Sequence, residues 1–282
     1  MSEVQAYPKI DTLFDRDPKT FKVDVTRIRR PEFEIPQRWL VTEKVDGTNV
    51  RVSLELQECE DCAHEDCDNE RHDDAASLMG DWVVRFYGRT AAAQMPTFLL
   101  EHLQRTFTLE KMRYFWRGKA GCEVCGGHGH TNVATAVIEI AGSEDGYSKC
   151  PCSEPYPIVL YGEGYGARIQ KGGGNYRRDG DVSFRLFDVL IGETWLRRMD
   201  VEDVARQLDI KLVPRVDTDG THPLWTIDEC IALVTSLGGL RSAVAREEGT
   251  PSFAEGIVAF TDPPLFNGRG QRLMWKLKAK DF

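Results

Sequence analysis

Lys44 stands in the run Glu43-Lys44-Val45-Asp46-Gly47-Thr48-Asn49, a lysine followed by a short acidic-glycine turn between two apolar stretches. A lysine so placed can act as a nucleophile. Its ammonium must first lose a proton, and an ordinary lysine titrates at about 10.4, so the fold has to supply desolvation or neighbouring cations. Taken alone, the run could equally be a surface hairpin with an exposed lysine. Other segments carry groups that suit the same chemistry. Arg89, in Gly88-Arg89-Thr90, presents a guanidinium for forked contacts to phosphate or hydroxyl, or is an ordinary strand-end arginine. Glu163, in Tyr161-Gly162-Glu163-Gly164, could accept from ribose hydroxyls or be a solvated turn acid. In Phe184-Arg185-Leu186-Phe187-Asp188 an aromatic ring could stack on a purine or simply fill the core. Glu255, in Ala254-Glu255-Gly256, suits a metal-ligating carboxylate. In Trp275-Lys276-Leu277-Lys278 two lysines share one face of a strand, where like charges repel, so they imply a solvated face or a bound phosphate.

These groups have to be held by strands. Val50, Val52, Leu54 and Leu56 alternate with polar residues and mark a half-buried strand that begins just after the Lys44 turn. A second strand, over 82–87, leads into Arg89. Pro96 opens an amphipathic helix carrying Phe98, Leu99, Leu103 and Phe107. Further strands are expected at 134–140, 158–162, 182–191, 256–260 and 273–277. Helices are expected near 201–208 and after Thr226, where Thr226-Ile227-Asp228-Glu229 spells a capping box. Strands separated by irregular loops and a few helices indicate an α+β fold with mainly antiparallel sheets rather than regular βαβ alternation.

The chain of 282 residues carries a formal charge of −9, and the charge is concentrated. Nine acids against Arg71 alone put −8 into residues 58–74, leaving the remainder near neutral and free to bind a polyanion on local basic surfaces. There is no apolar run long enough to span a bilayer and no signal-like start, so no membrane partner is expected and a cytoplasmic location is. A reducing compartment argues against disulfides among the eight cysteines. Their spacing points to metal instead. Cys59, Cys62, Cys67 and His72 lie in an acidic insertion over 58–80, with a spacing similar to a zinc knuckle whose last two ligands are exchanged. Cys122, Cys125, Cys150 and Cys152 lie in a second insertion over 118–153 and could complete a zinc site, with His128 or His130 able to replace a cysteine. Reduced structural cysteines, or for the acidic block a disordered loop, are the competing readings. The acidic block, if it binds zinc, suits a protein partner better than RNA. Cys230 reads as a small core residue.

In this order, the charged segments resemble those of the covalent nucleotidyltransferases, the superfamily of ATP-dependent ligases and mRNA capping enzymes. Glu43 to Asn49, Ala254 to Gly256 and Lys276 to Lys278 resemble the E-K-x-x-G-T-N, A-E-G and K-x-K motifs of the RNA ligases, including phage nick-sealing and trypanosome editing enzymes. The opening Tyr7-Pro8-Lys9-Ile10 and the closing Lys278-Ala279-Lys280-Asp281-Phe282 are similar to small stand-alone ligases of that family. The resemblance covers nearly the whole chain apart from the Cys-rich blocks. It implies a single nucleotidyltransferase domain over 1–282, ATP-grasp-like, with sheets around a nucleotide cleft, and no C-terminal OB or helical domain.

The same resemblance implies an ATP-dependent RNA ligase acting on 5′-phosphate and 3′-hydroxyl ends in a bacterial or phage-infected cytoplasm. A DNA ligase, a guanylyltransferase or a zinc-stabilised nucleic-acid-binding protein with a vestigial site remain alternatives. By that resemblance Lys44 is the nucleophile that forms lysyl-AMP, and Lys276 and Lys278 lower its pKa and neutralise phosphate charge. Glu163 holds the ribose, Phe187 stacks on adenine, and Glu255 binds magnesium or manganese. Arg89 and Asn49 contact ribose, phosphate or the RNA end, Glu43 belongs to the ATP pocket, and Asp188 joins the catalytic set or orients its neighbours.

Overall fold

The computed structural model describes residues 4–20, 23–56, 82–90, 93–112, 158–170, 174–177, 180–216, 224–236 and 239–282. Both cysteine clusters, His72, His128, His130 and the expected strand at 134–140 lie outside the described residues. The chain divides into two compact units, one joining Met1–Val52, Phe86–Thr106 and Val159–Phe282, the other Ser53–Arg85 and Phe107–Ile158. All the nucleotide-site candidates belong to the first.

In chain order the strands are β1 (Asp11–Thr12), β2 (Phe14–Arg16), β3 (Val23–Ile28), β4 (Leu40–Lys44), β5 (Thr48–Leu56), β6 (Trp82–Tyr87), β7 (Ile158–Gly166), β8 (Val182–Ile191), β9 (Thr194–Trp195), β10 (Lys211–Leu212), β11 (Gly256–Phe260) and β12 (Met274–Lys278). The helices are α1 (Thr97–Thr106), α2 (Arg198–Gln207), α3 (Ile227–Thr235) and α4 (Ala243–Glu247). One sheet runs β1-β12-β11-β4 and another β10-β8-β7-β5-β6, with β9 beside β8. β11 is antiparallel to both β4 and β12, β2 to β3 and β8 to β9, whereas β1 is parallel to β12 and β10 to β8. The α+β class with antiparallel central pairings is therefore as the sequence indicates. α3 starts at the expected capping box, with Thr226 and Glu229 satisfying each other's backbone amides.

The four-stranded sheet is two-faced, because side chains alternate along each strand. Val41, Ile257, Ala259, Trp275 and Leu277 point to one side, where they pack with Leu13, Phe14, Phe33, Trp39, Cys230 and Val234 into a single core. Cys230 is fully buried and free, a core residue as expected. Thr42, Lys44, Val258, Phe260, Met274, Lys276 and Lys278 take the other phase. One face of this sheet builds the core; its reverse carries the chemistry.

Candidate active site

Strand register brings the charged groups together. Gly256 on the central strand β11 pairs with Lys44 on β4 and with Lys278 on β12, and Val258 pairs with Thr42 and Lys276. Glu255, one residue before β11, consequently emerges between two lysines that are far apart in sequence. Its Oε2 accepts from Lys44 Nζ at 2.5 Å and its Oε1 from Lys278 Nζ at 2.5 Å. Burial works to raise the Glu255 pKa, but the charges and hydrogen bonds of Lys44 and Lys278 outweigh it and hold the carboxyl below its ordinary range. Lys276 is pulled down to about 8, first by desolvation and then by the cations of Lys44, Lys278 and Arg89. Arg89 is exposed and near enough to bear on Lys276.

Two glycines make this crossing possible. A Cβ on Gly256 would lie 2.7 Å from Lys278 Cα and collide with the Leu277 carbonyl, so only glycine lets β11 and β12 close beneath Glu255. A Cβ on Gly47 would meet the Gly164 carbonyl and come within 2.8 Å of Glu163 Cγ. The turn after Lys44 is thereby pressed against β7, and Glu163 is delivered to the same site. Burial is the main cause that pushes Glu163 up to about 8; Glu255 and Asp46 add to it, and Lys44 and the Gly47 amide oppose it. At neutral pH Glu163 is mostly the protonated acid.

Beside the lysines lies a cavity of about 110 Å³, lined by Lys44, Asn49, Glu163, Phe187, Asp188 and Glu43 among the residues expected from sequence. Its remaining wall comprises Tyr7, Ile10, Thr42, Val45, Val213, Val258, Phe260 and Met274. That volume accommodates one flat ring system and is small for a whole nucleotide, so a ligand would extend from the cavity toward the lysines. The buried Oδ1 of Asn49 has no hydrogen-bond partner, which suits a ligand donor. A larger cavity of about 660 Å³ shares Glu43 but none of the lysines, Glu163 or Phe187, so it lies apart from the charge cluster.

Two expected residues are already engaged within the protein. Glu43, next to the nucleophile candidate but in the opposite strand phase, accepts from Ser242 Oγ at 2.5 Å and from the amides of Ala243 and Val244 at 2.8 and 3.1 Å. It caps α4 and ties the end of β4 to that helix. Asp188, 5% exposed, accepts from Tyr7 Oη at 2.8 Å and is ion-paired with the buried Arg272. Burial raises its pKa against the pull of Arg272.

Sequence reasoning missed several lining residues. Thr42 and Met274 could have been found, since each shares the strand phase of a lysine already singled out, Lys44 or Lys276; Val258 and Phe260 alternate out of phase with Glu255 and reach the cavity through their register with β4 and β12. Tyr7, Ile10 and Val213 carry no such signal, because only tertiary folding brings their segments to the cavity.

No group of three or more His, Cys, Asp and Glu side chains suited to a metal occurs among the described residues. A divalent ion bound mainly by substrate phosphates, with a single carboxylate such as Glu255, fits this donor set, because magnesium commonly keeps waters and takes one or two protein ligands.

A family model described as RNA ligase matches residues 37–277. No curated protein sequence matches the chain. Among solved structures, a Naegleria gruberi RNA ligase with PPi is 17% identical, with a TM-score of 0.47 over 97% of this chain and 62% of that one. An alanine mutant of that ligase with ATP and Mn is also 17% identical, with a TM-score of 0.49 and coverages of 97% and 62%. An archaeal ATP-dependent RNA ligase is 14% identical, with a TM-score of 0.48 over 99% of this chain and 49% of that one. The chain thus spans less than two thirds of the length of these proteins. With the family model matching residues 37–277, most of the chain, the chain belongs to the RNA ligase family.

Proposed function

We propose that this protein is an ATP-dependent polynucleotide ligase that joins RNA 5′-phosphate and 3′-hydroxyl ends through an enzyme-lysyl-AMP. The observation that carries the reading is the register across β4, β11 and β12, which unites Lys44, Glu255 and Lys278 beside a ring-sized cavity. Family membership supports the same reaction class.

In the first step the Lys44 amine attacks the α-phosphorus of ATP. A P–N bond forms, the bond to the bridging oxygen breaks, and pyrophosphate leaves with the electron pair. For this Lys44 must leave its ion pair with Glu255 and shed a proton. Lys276 and Lys278 face the charge that grows on the phosphoryl oxygens, and a phosphate beside Lys276 would raise its pKa and hold it in the cationic form. Phe187 stacks on adenine. Glu163, protonated near pH 7, can both donate to and accept from a ribose hydroxyl. Arg89 and Asn49 contact ribose, phosphate or the RNA end. Asp188 acts on the wall of the pocket, through Tyr7 and Arg272, rather than on the phosphate. Glu255 would hold a magnesium or manganese ion, which supplies charge neutralisation at the phosphate oxygens.

In the second step an oxygen of the RNA 5′-phosphate attacks the lysyl-AMP phosphorus, and Lys44 departs as the amine. The RNA 3′-hydroxyl then attacks the 5′-phosphate, a phosphodiester forms and AMP leaves. The test is incubation with labelled ATP or GTP, followed by 5′-phosphorylated nicked RNA or DNA. Label from ATP, passed to RNA ends that are then sealed, is the expected result; label from GTP alone would sink the ligase reading.

A further inference from the structure

We infer that the segment over 4–13, which precedes the family-matched residues 37–277, is a working part of the nucleotide site, and that Tyr7 is the positioning residue that holds Phe187 against the base. This rests on the nucleotide reading above. Side chains and backbone fasten the segment at three successive points. Arg51 Nη1 donates to the Val4 carbonyl at 2.5 Å, Tyr161 Oη to the Gln5 carbonyl at 2.8 Å, and Tyr7 Oη to Asp188 Oδ2 at 2.8 Å. Arg51 and Tyr161 are themselves fully buried, so the anchors are fixed. Arg272, whose guanidinium lies 4.6 Å from the Trp195 ring, pairs with the same Asp188 oxygen that accepts from Tyr7.

The pinned Tyr7 ring meets Phe187 edge-on, with centroids 4.9 Å apart and planes at 72°, and meets Trp195 at 5.5 Å and 90°. Edge-to-face rings restrain one another, so Tyr7 fixes the plane that Phe187 offers to a base. Further along, Ile10 lines the same cavity, and β1 then pairs with β12 at Asp11↔Trp275 and Thr12↔Lys276. Leu13 N donates to the Lys276 carbonyl at 3.1 Å. One short segment therefore supports the base wall at one end and the strand of the phosphate-facing lysines at the other.

The experiment compares wild type, Tyr7→Ala, Tyr7→Phe and Ile10→Ala by melting temperature, by calorimetric ATP affinity and by rate of self-adenylation at saturating ATP. Tyr7→Ala is expected to weaken ATP binding about tenfold, in line with loss of an aromatic pair and part of the wall, while the saturated adenylation rate stays within twofold. Tyr7→Phe keeps the ring and should weaken binding by less than Tyr7→Ala. If Tyr7→Ala does not fold, Tyr7→Phe and Ile10→Ala carry the same comparison, each with a two- to fivefold affinity loss expected. Folded variants that bind ATP as wild type does, or that lose saturated rate with affinity intact, would overturn the inference. Wild-type protein that binds no ATP would overturn the functional reading itself.

Discussion

The two ends of the nucleotide cavity are built on different principles. At the phosphate end, Lys44, Glu255 and Lys278 are charged, partly exposed and brought together by backbone register alone. At the base end, Tyr7, Phe187, Asp188, Arg272 and Trp195 form a mostly buried assembly in which each side chain depends on the next. The first end should therefore fail in chemistry while the fold persists; the second should fail in affinity and stability together.

Replacing Lys44 with alanine separates these cases most sharply. Self-adenylation should fall to background with the melting temperature little changed, checked by label transfer and calorimetry, because the residue removed is the group that forms the bond. Gly47→Ala should be nearly as severe in rate, a hundredfold loss or more. Its Cβ has no room against Gly164 and Glu163, and a shift of the turn by about 1 Å misplaces Lys44.

Asp188→Ala reports on the other end. It leaves the buried Arg272 without its counter-charge and should destabilise the protein by about 3–5 kcal/mol, read from denaturant unfolding. Should it instead cost only catalysis, Asp188 belongs with the lysines.

The pH responses of Lys276 and Glu163 share an origin in burial and are opposite in sign. Lys276 has a folded pKa of about 8 against an ordinary 10.5, so across that window the unfolded chain binds more protons. Its contribution makes stability rise with pH from about 8 to 10.5, and Lys276→Met should remove that rise and stabilise the protein at pH 7. Glu163 has a folded pKa of about 8 against an ordinary 4.5, so here the folded protein binds more protons. Its contribution makes stability fall as pH climbs from about 4.5 to 8, and Glu163→Gln should flatten that segment of the stability profile. Phosphate bound at Lys276 would raise its pKa, so ATP binding near pH 8.5 should take up a proton, measurable by calorimetry in buffers of different ionisation enthalpy.

The same contrast governs what could be read from the sequence. Lys44, Glu255, Lys276 and Lys278 were legible because charged residues recurring beside period-two apolar strands restrict the chemistry to a solvated face or an anion site. The expected strands at 82–87, 182–191 and 256–260 match β6, β8 and β11. Glu43 and Asp188 were legible as special but not in their work, since capping α4 and pairing with Arg272 depend on partners 199 and 84 residues away. Tyr7 could be noted only as part of an opening segment similar to other ligases. Nothing local says that its hydroxyl ends on Asp188. Short strands such as β1 and β10, two residues each, escaped because a pair of residues carries no period.

The measurement closest to the central claim is intact mass of the purified protein before and after ATP with magnesium, alongside Lys44→Ala. A gain of one adenylate on wild type, absent from Lys44→Ala and discharged by pyrophosphate, is the expected result. No adduct on wild type, or an adduct that survives in Lys44→Ala, would contradict it.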